Sequence, residues 1–344
     1  MAIASFVGAG DLMINRAEPR SMLRHVERTL QEADVTYVNL EGPMCDVGEK
    51  NQGLAGIARH VRSSPRTIDA LEHAGVDVVS LANNHTMDYG AAGLEQTLRL
   101  LDQAKIPYCG AGRNLDEARR PVSVQANGLK VAFLSYTSVC VPSYAATKDG
   151  PGAAVVRVKT AYEANLRLLL QPGSPMATKT VGNPEDVRLL VDEVKAAKAD
   201  ADAVIVAWHW GVSERWGKLI DYQRDLGRAV IDAGASAILG HHAHMLLGVE
   251  FYRNRPIFYS LGNFAFDMTH HYFRRESVIV QFDVSRDGLA NVRVLPLMIN
   301  EDHEPVPAND GDAQKVAWLL EYHSEGLNTK FINRGRHIEL LPLI

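Results

Sequence analysis

The chain has 344 residues, a formal net charge of -5 and 46% hydrophobic residues. It is long enough to bury a large core, and its mild acidic balance with no basic run excludes the electrostatic footprint of a nucleic-acid binder. Cys45, Cys109 and Cys140, none at Cys-x-x-Cys spacing, exclude a disulfide framework and read as small apolar residues of a reducing compartment.

The N-terminus from Met1 to Asp11 has no basic segment, and its apolar run is too short for a secretion signal. No run approaches the ~20 apolar residues that span a bilayer. A cytoplasmic protein without a membrane span is expected. Ile3 to Ala9 reads as a short buried strand ending at Gly10-Asp11, and Leu23 to Ala33 has helical spacing. Val35 to Glu41 is a second strand, ending on Asn39 and Glu41. The glycine-rich stretch 45–64 is a long loop, a class that is often functional. Ile68 to Ala74 is a helix stopped by Gly75. Val76 to Ala82 is a buried strand that runs into Asn83-Asn84-His85-Thr86-Met87-Asp88.

Ala91 to Ala104 is a helix, Ile106 to Cys109 a short strand, and 122–124 with 131–136 a hairpin over Asn127-Gly128. A loop from Val139 to Val155 precedes a helix expected over Ala161 to Leu170, which Gln171-Pro172-Gly173 ends. Pro184 to Ala199 is helical, with Pro184 suited to the first turn. Ala203 to Ala207 is a strand that ends at Trp208-His209-Trp210. Tyr222 to Ala233 is a helix, and Ser236 to Leu239 a strand that opens into Gly240-His241-His242-Ala243-His244. Leu246 to Phe251 pairs with Ile257 to Leu261, and the second of these ends at Gly262-Asn263-Phe264. Ser277 to Val284 and Ala290 to Met298 form a late hairpin, and a last helix covers Ala313 to Tyr322. Strands alternate with helices until hairpins enter late. The pattern predicts one α/β layered sandwich over 1–344, mostly parallel with antiparallel additions.

One regularity outweighs any single motif. Asp11, Glu41, His85, His209, the histidines of 241–244 and Asn263 each follow the C-terminal end of an apolar strand. In open α/β sheets the ligand crevice lies beyond those ends, so residues distant in sequence converge on one rim. Carboxylates, imidazoles and carboxamides without a thiol suit Mn, Fe, Zn or Mg, and the candidates suffice for one or two ions. Each residue also has a plainer use. Asp11 is suited to cap a helix, Asp88 to cap the helix after it, His85 to structural hydrogen bonding, and His209 to packing between Trp208 and Trp210.

Gly10-Asp11-Leu12-Met13, Asn39-Leu40-Glu41, Ala82-Asn83-Asn84-His85-Thr86-Met87-Asp88, His209 to Glu214, Gly240 to His244 and Tyr259 to Asp267 resemble, in order, the motifs of the CapA (PgsA) family. That family is named for poly-γ-glutamate capsule synthesis. The resemblance covers residues from about 5 to 285 and implies a four-layer αββα sandwich related to calcineurin-like metallophosphoesterases. It leaves the C-terminal strands and helix of 286–344 packed on that body. It implies metal positions at Asp11, Glu41, Asn84, His85, His209, His241 and His244, with His242 the histidine most open to a structural role. The family's capsule proteins commonly carry a membrane anchor, which is not expected here. Other relatives act in peptide tailoring, one as an epimerase.

Three functions follow as expectations. The first is a metal-dependent hydrolase of a carboxylate-bearing amide, peptide or ester. Asp11, Glu41, His85, His209 and His244 do its chemistry, and a histidine off the metal protonates the leaving group. Its substrate contacts are Asn39, Asn83, Glu214 and Asn263, with Arg16, Arg274 and Arg275 pairing with substrate carboxylates. The second is a metal-free epimerase that uses Asp11 and a histidine on opposite faces of a Cα–H. The third is a non-catalytic accessory of capsule-polymer biosynthesis, which a net charge of -5 does not favour for an anion binder.

Overall fold

The computed structural model describes residues 2–52, 59–164, 166–213, 217–267 and 274–343. Its first sheet is organised on the strand Ala4–Met13. Val35–Leu40, Val78–Ser80 and Tyr108–Cys109 follow in parallel on one side. Those strands are almost continuously buried, as parallel strands covered on both faces must be. On the other side the pairing turns antiparallel through Glu276–Ser285, Gly288–Ile299, Ile338–Pro342 and Thr329–Asn333, so the C-terminal segment extends this same sheet.

The second sheet runs in the order Val249–Tyr252, Arg255–Phe258, Ala237–His241, Ala203–His209, Leu129–Thr137, Val122–Ala126. Its four middle strands are parallel. The sheets pack face to face. Phe6, Tyr37 and Phe282 of the first meet Phe133, Ile205 and Leu239 of the second in one apolar layer, with Phe6 and Phe282 stacked at 4.3 Å. Helices Thr67–His73 and Gly90–Ala104 cover the outside of the first sheet through Leu71, Leu94, Leu98 and Leu101. Helices Pro184–Asp200 and Asp221–Ala233 cover the second through Leu190, Val194, Leu226 and Val230. The result is the expected αββα sandwich. Among the described residues no helix is long and apolar enough to cross a membrane.

Local expectations are corrected in three places. The first strand does not stop at Ala9 but runs to Met13, so Asp11 lies in a strand and caps no helix. Gly10 is no terminator: a Cβ there would stand 2.2 Å from the Gly262 carbonyl oxygen. Its absence lets Asn263–Phe266 pair in parallel with the first strand. The helix expected over Ala161 to Leu170 is instead the hairpin Val158–Glu163 with Ala177–Gly182, around a short helix at Leu166–Leu170. Thr160 opposite Thr180 and Tyr162 opposite Thr178 supply the β-branched and aromatic pairs that favour strands. The helix expected over Leu23 to Ala33 is a 3-10 turn at Pro19–Leu23 and a short helix at Glu27–Gln31.

Candidate metal centre

The parallel strands of the two sheets deliver their C-terminal ends to one place. In the first sheet Asp11 is in register with both Asn39 and Asn263, and Asn39 with Ser80. In the second, His209 is in register with His241. Strand alternation sorts the Trp208-His209-Trp210 triplet. The two indoles stack at 4.7 Å in the layer against the helices, while His209 is aimed at the site. The bland packing role for this histidine therefore belongs to its neighbours. Past His241 the chain bends sharply, and His242 and His244 take φ of 89° and 53°. Non-glycine residues in the left-handed region cost of order 1–3 kcal/mol and persist where the surroundings over-determine them.

Glu41 is the centre of the cluster. It is fully buried, and neither carboxylate oxygen has a hydrogen bond. Its Oε1 lies 3.8 Å from His85 Nε2, 3.7 Å from His209 Nε2 and 3.5 Å from His244 Nε2. These separations are too long for hydrogen bonds. They match the spacing of about 3.4 Å between ligand atoms that each hold one tetrahedral ion at about 2.1 Å. Asp11, also fully buried, lies 3.0 Å from His241 Nδ1 through Oδ1 and 3.6 Å from His244 Nδ1 through Oδ2. Asp11, Glu41 and His244 each offer a ligand atom within 4.8 Å of one another and could hold a metal ion. The donors are oxygen and imidazole nitrogen, the set that suits a borderline or hard divalent cation.

Neighbouring groups orient the rings. Asp88 accepts from His85 Nδ1 at 2.7 Å, and Asn263 Oδ1 lies 2.8 Å from His244 Nδ1. Both acceptors place the ring proton on Nδ1 and turn Nε2 towards Glu41, the usual outer-shell arrangement for a ligating histidine. His209 Nε2 lies 2.7 Å from Asn84 Oδ1 and 3.2 Å from His242 Nδ1. Burial pushes the Glu41 carboxyl well up, and the Asp11 charge adds to this. Burial also raises Asp11, but His241, His244 and Asn39 outweigh it and hold that carboxyl below its ordinary value. Burial and the adjacent His242 push His209 well down, and burial takes His242 to about 3. His85 and His244, each 12% exposed, form the open side.

The structure thus brings together Asp11, Glu41, Asn84, His85, His209, His241 and His244. Several expected substrate contacts are corrected. Asn39 donates to Asp11 Oδ1 at 2.8 Å and Asn263 holds His244, so both serve the cluster itself. Asn83 is fully buried; it accepts from the Gly42 and His85 amides and donates to the Leu40 and Leu81 carbonyls, so no valence faces a ligand. Arg16 is committed to Asp267 at 2.5 Å and to Glu304 at 3.3 Å. Arg275 pairs with Glu301 at 2.6 Å, Arg274 is exposed, and Glu214 lies outside the described residues. Asp88 is not the helix cap, which is Tyr89. Its carboxylate gathers the Val61 amide, the Tyr144 hydroxyl and His85, tying both long loops to one ring.

Sequence reasoning missed Tyr37 and Ser80. Both are fully buried in strands, and they hydrogen-bond to each other at 2.6 Å behind His241. For Ser80 the available signal was a hydroxyl directly after the apolar pair Val78-Val79, because a buried polar group requires a partner.

Residues 5–268 match the family model described as bacterial capsule synthesis protein PGA_cap. The chain is 33% identical over 289 residues to capsule biosynthesis protein CapA of Bacillus anthracis, covering 84% of this chain and 64% of that one. It is 32% identical over 314 residues to PGA biosynthesis protein CapA of Bacillus subtilis (strain 168), covering 89% and 73%. The chain therefore spans a little under two thirds of the first relative's length. Among solved structures, purple acid phosphatase PPD1 from yellow lupin seeds aligns over 91% of this chain and 55% of that chain, at 9% identity and a TM-score of 0.37.

Proposed function

The chain belongs to the bacterial capsule synthesis protein family PGA_cap, and from that premise we propose that it is a metal-dependent hydrolase. Its substrate would be a carboxylate-bearing amide, peptide or ester, and the relatives' names favour a capsule polyglutamate. The observation that carries this reading is Glu41. A fully buried carboxylate without a hydrogen bond, facing three imidazoles at 3.5–3.8 Å, is costly unless a cation neutralises it.

Asp11, Glu41 and His244 would hold the ion, with His209 and His241 beside them. A bound divalent ion supplies a water of lowered pKa and a Lewis acid for the scissile carbonyl. His85 stands on the open side with Nδ1 locked to Asp88. A carboxylate behind an imidazole stabilises its protonated form, which suits His85 to donate a proton to the leaving group. His242, held neutral by burial, has no proton to give at neutral pH. The two-base alternative is less well supported. It needs Asp11 to face a substrate, yet that carboxylate is fully buried and accepts from Asn39 and from the His242 amide.

Elemental analysis of protein purified without added metal, paired with an assay of amine release from γ-glutamyl oligomers, tests the proposal. Near-stoichiometric Mn, Fe or Zn and loss of turnover on chelation are expected. Substoichiometric metal with chelator-resistant turnover would sink it, and solvent deuterium entering recovered glutamate would favour the epimerase.

A further inference from the structure

Behind the cluster lies a closed ring of buried polar groups whose hydrogen-bond direction is determined. It begins at Asp11, whose ionised carboxylate only accepts. Asn39 therefore turns its amide nitrogen to Asp11 Oδ1, at 2.8 Å, and its amide oxygen away. That oxygen also only accepts, so the Ser80 hydroxyl donates to it, at 2.6 Å. Ser80 has one proton and has spent it. Across the 2.6 Å contact with Tyr37 the phenol must then be the donor. Tyr37 in turn has one proton and has spent it, so across the 3.0 Å contact with His241 the phenol oxygen accepts from Nε2–H. The ring closes where His241 Nδ1 faces Asp11 Oδ1 at 3.0 Å. That contact is close but falls outside hydrogen-bond geometry. A neutral His241 carries its proton on Nε2, and its Nδ1 electron pair and the Asp11 oxygen are presented side by side.

We propose that Asn39, Ser80 and Tyr37 form a directional hydrogen-bond relay that fixes the tautomer of His241, so that Nδ1 is delivered with Asp11 as a ready pair of electron donors. Its use rests on the metal-centre reading above, but the tautomer itself does not. The three relay residues are positioning residues: none reaches the open side, and each acts through Asp11 or His241. The relay also gives the buried Tyr37 hydroxyl, Asn39 amide and Ser80 hydroxyl their partners. It separates two roles that contact alone would merge. A phenol that only packs against His241 has no use for Ser80. A relay fails when Ser80 is lost, because Tyr37 then regains a free proton, donates to Nε2 and forces the ring proton onto Nδ1.

The test is ring 15N NMR of the chelated full chain at pH 8, with the His241 signals assigned through His241→Gln. Wild type is expected to show protonated Nε2 and unprotonated Nδ1, and Ser80→Ala the reverse. Tyr37→Phe is expected to lose the single tautomer. A wild-type His241 protonated on Nδ1, alone or on both nitrogens, would overturn the relay, as would a Ser80→Ala spectrum unchanged from wild type. Zn(II) titration by competition with a chromophoric chelator is the second readout. Ser80→Ala and Tyr37→Phe are expected to weaken binding about 10–100-fold, the usual cost of losing an outer-shell partner. A wild type that shows the Nε2 tautomer but binds no ion would sink the metal-centre reading and leave the relay standing. Should either variant unfold, Ser80→Cys and the wild-type spectrum still decide the direction of the ring.

Discussion

At the scale of single residues, Glu41 sets stability against function. Its two oxygens are buried without hydrogen bonds, and an unsatisfied buried acceptor costs about 1–3 kcal/mol, more when charged. Glu41→Gln is therefore expected to stabilise the chelated protein by about 1–3 kcal/mol in urea unfolding at pH 8. It should also abolish the stabilisation that added Zn or Mn gives the wild type. A destabilised chelated variant would mean that the carboxylate is satisfied in a way these contacts do not include. Glu304 makes the opposite case. It is buried and accepts from Arg24 at 2.7 Å and Asn300 at 3.2 Å, with Arg16 at 3.3 Å. Burial raises its carboxyl, but Asn300 and Arg24 outweigh that and hold the pKa below its ordinary value. A depressed carboxyl adds stability above its unfolded pKa of about 4.3, and that contribution is lost as the pH falls through the lower folded value. Glu304→Gln should cost about 1–2 kcal/mol at pH 7, and the gap to wild type should narrow below about pH 4.3. A gap that is constant from pH 7 to the acid limit would assign the cost to packing instead of charge.

At the scale of elements, much of the site was legible because chemistry-bearing residues follow apolar strands. The strand ends at Glu41, His209 and His241 can be read from Val35 to Leu40, Ala203 to Ala207 and Ala237 to Leu239. Pattern alone could not say what each polar residue binds. Asn39 and Asn263 read as substrate contacts because a carboxamide at a rim suits recognition, yet each is consumed within the cluster by a partner supplied only by tertiary pairing. Gly10 misled for a related reason. A glycine after an apolar run normally signals a strand end, whereas here it permits the close approach of the Gly262 carbonyl. Gly10→Ala must push Gly262 away, and the hydrogen bond from the Asp11 amide to the Gly262 oxygen, at 3.1 Å, goes with it. Asn263, in register with Asp11, would shift and carry His244 along. The expected result is a loss of about 2 kcal/mol or more in stability, together with weaker Zn(II) binding. An alanine variant as stable and as metal-competent as wild type would show that the pairing of Asn263–Phe266 with the first strand is dispensable.

At the scale of the whole molecule, the two sheets depend on each other at one edge. The alternation of strands and helices was enough to predict four layers, because each amphipathic helix must cover a sheet face. It could not reveal that the candidate ligands divide between the sheets. Asp11 and Glu41 belong to the first sheet's strand ends, and His209, His241 and His244 to the second's. The apolar layer holding Phe6 and Tyr37 against Phe133 brings those ends into register. Neither sheet alone assembles the set, so an ion held there binds only the packed sandwich. Binding to the native state alone stabilises by RT ln(1 + [L]/Kd), about 2.7 kcal/mol at a hundredfold excess over Kd. Adding Zn or Mn to the chelated protein should therefore raise the midpoint of global unfolding, followed by far-UV circular dichroism, along that logarithmic dependence. The loss of near-UV tryptophan signal from the Trp208–Trp210 stack should move with it, because that stack lies on the strand that ends in His209. A shift in local protection around 241–244 without any change in the global midpoint would mean that the ion is held by the histidine loop alone. The bridge between the sheets would then be refuted even though metal is bound.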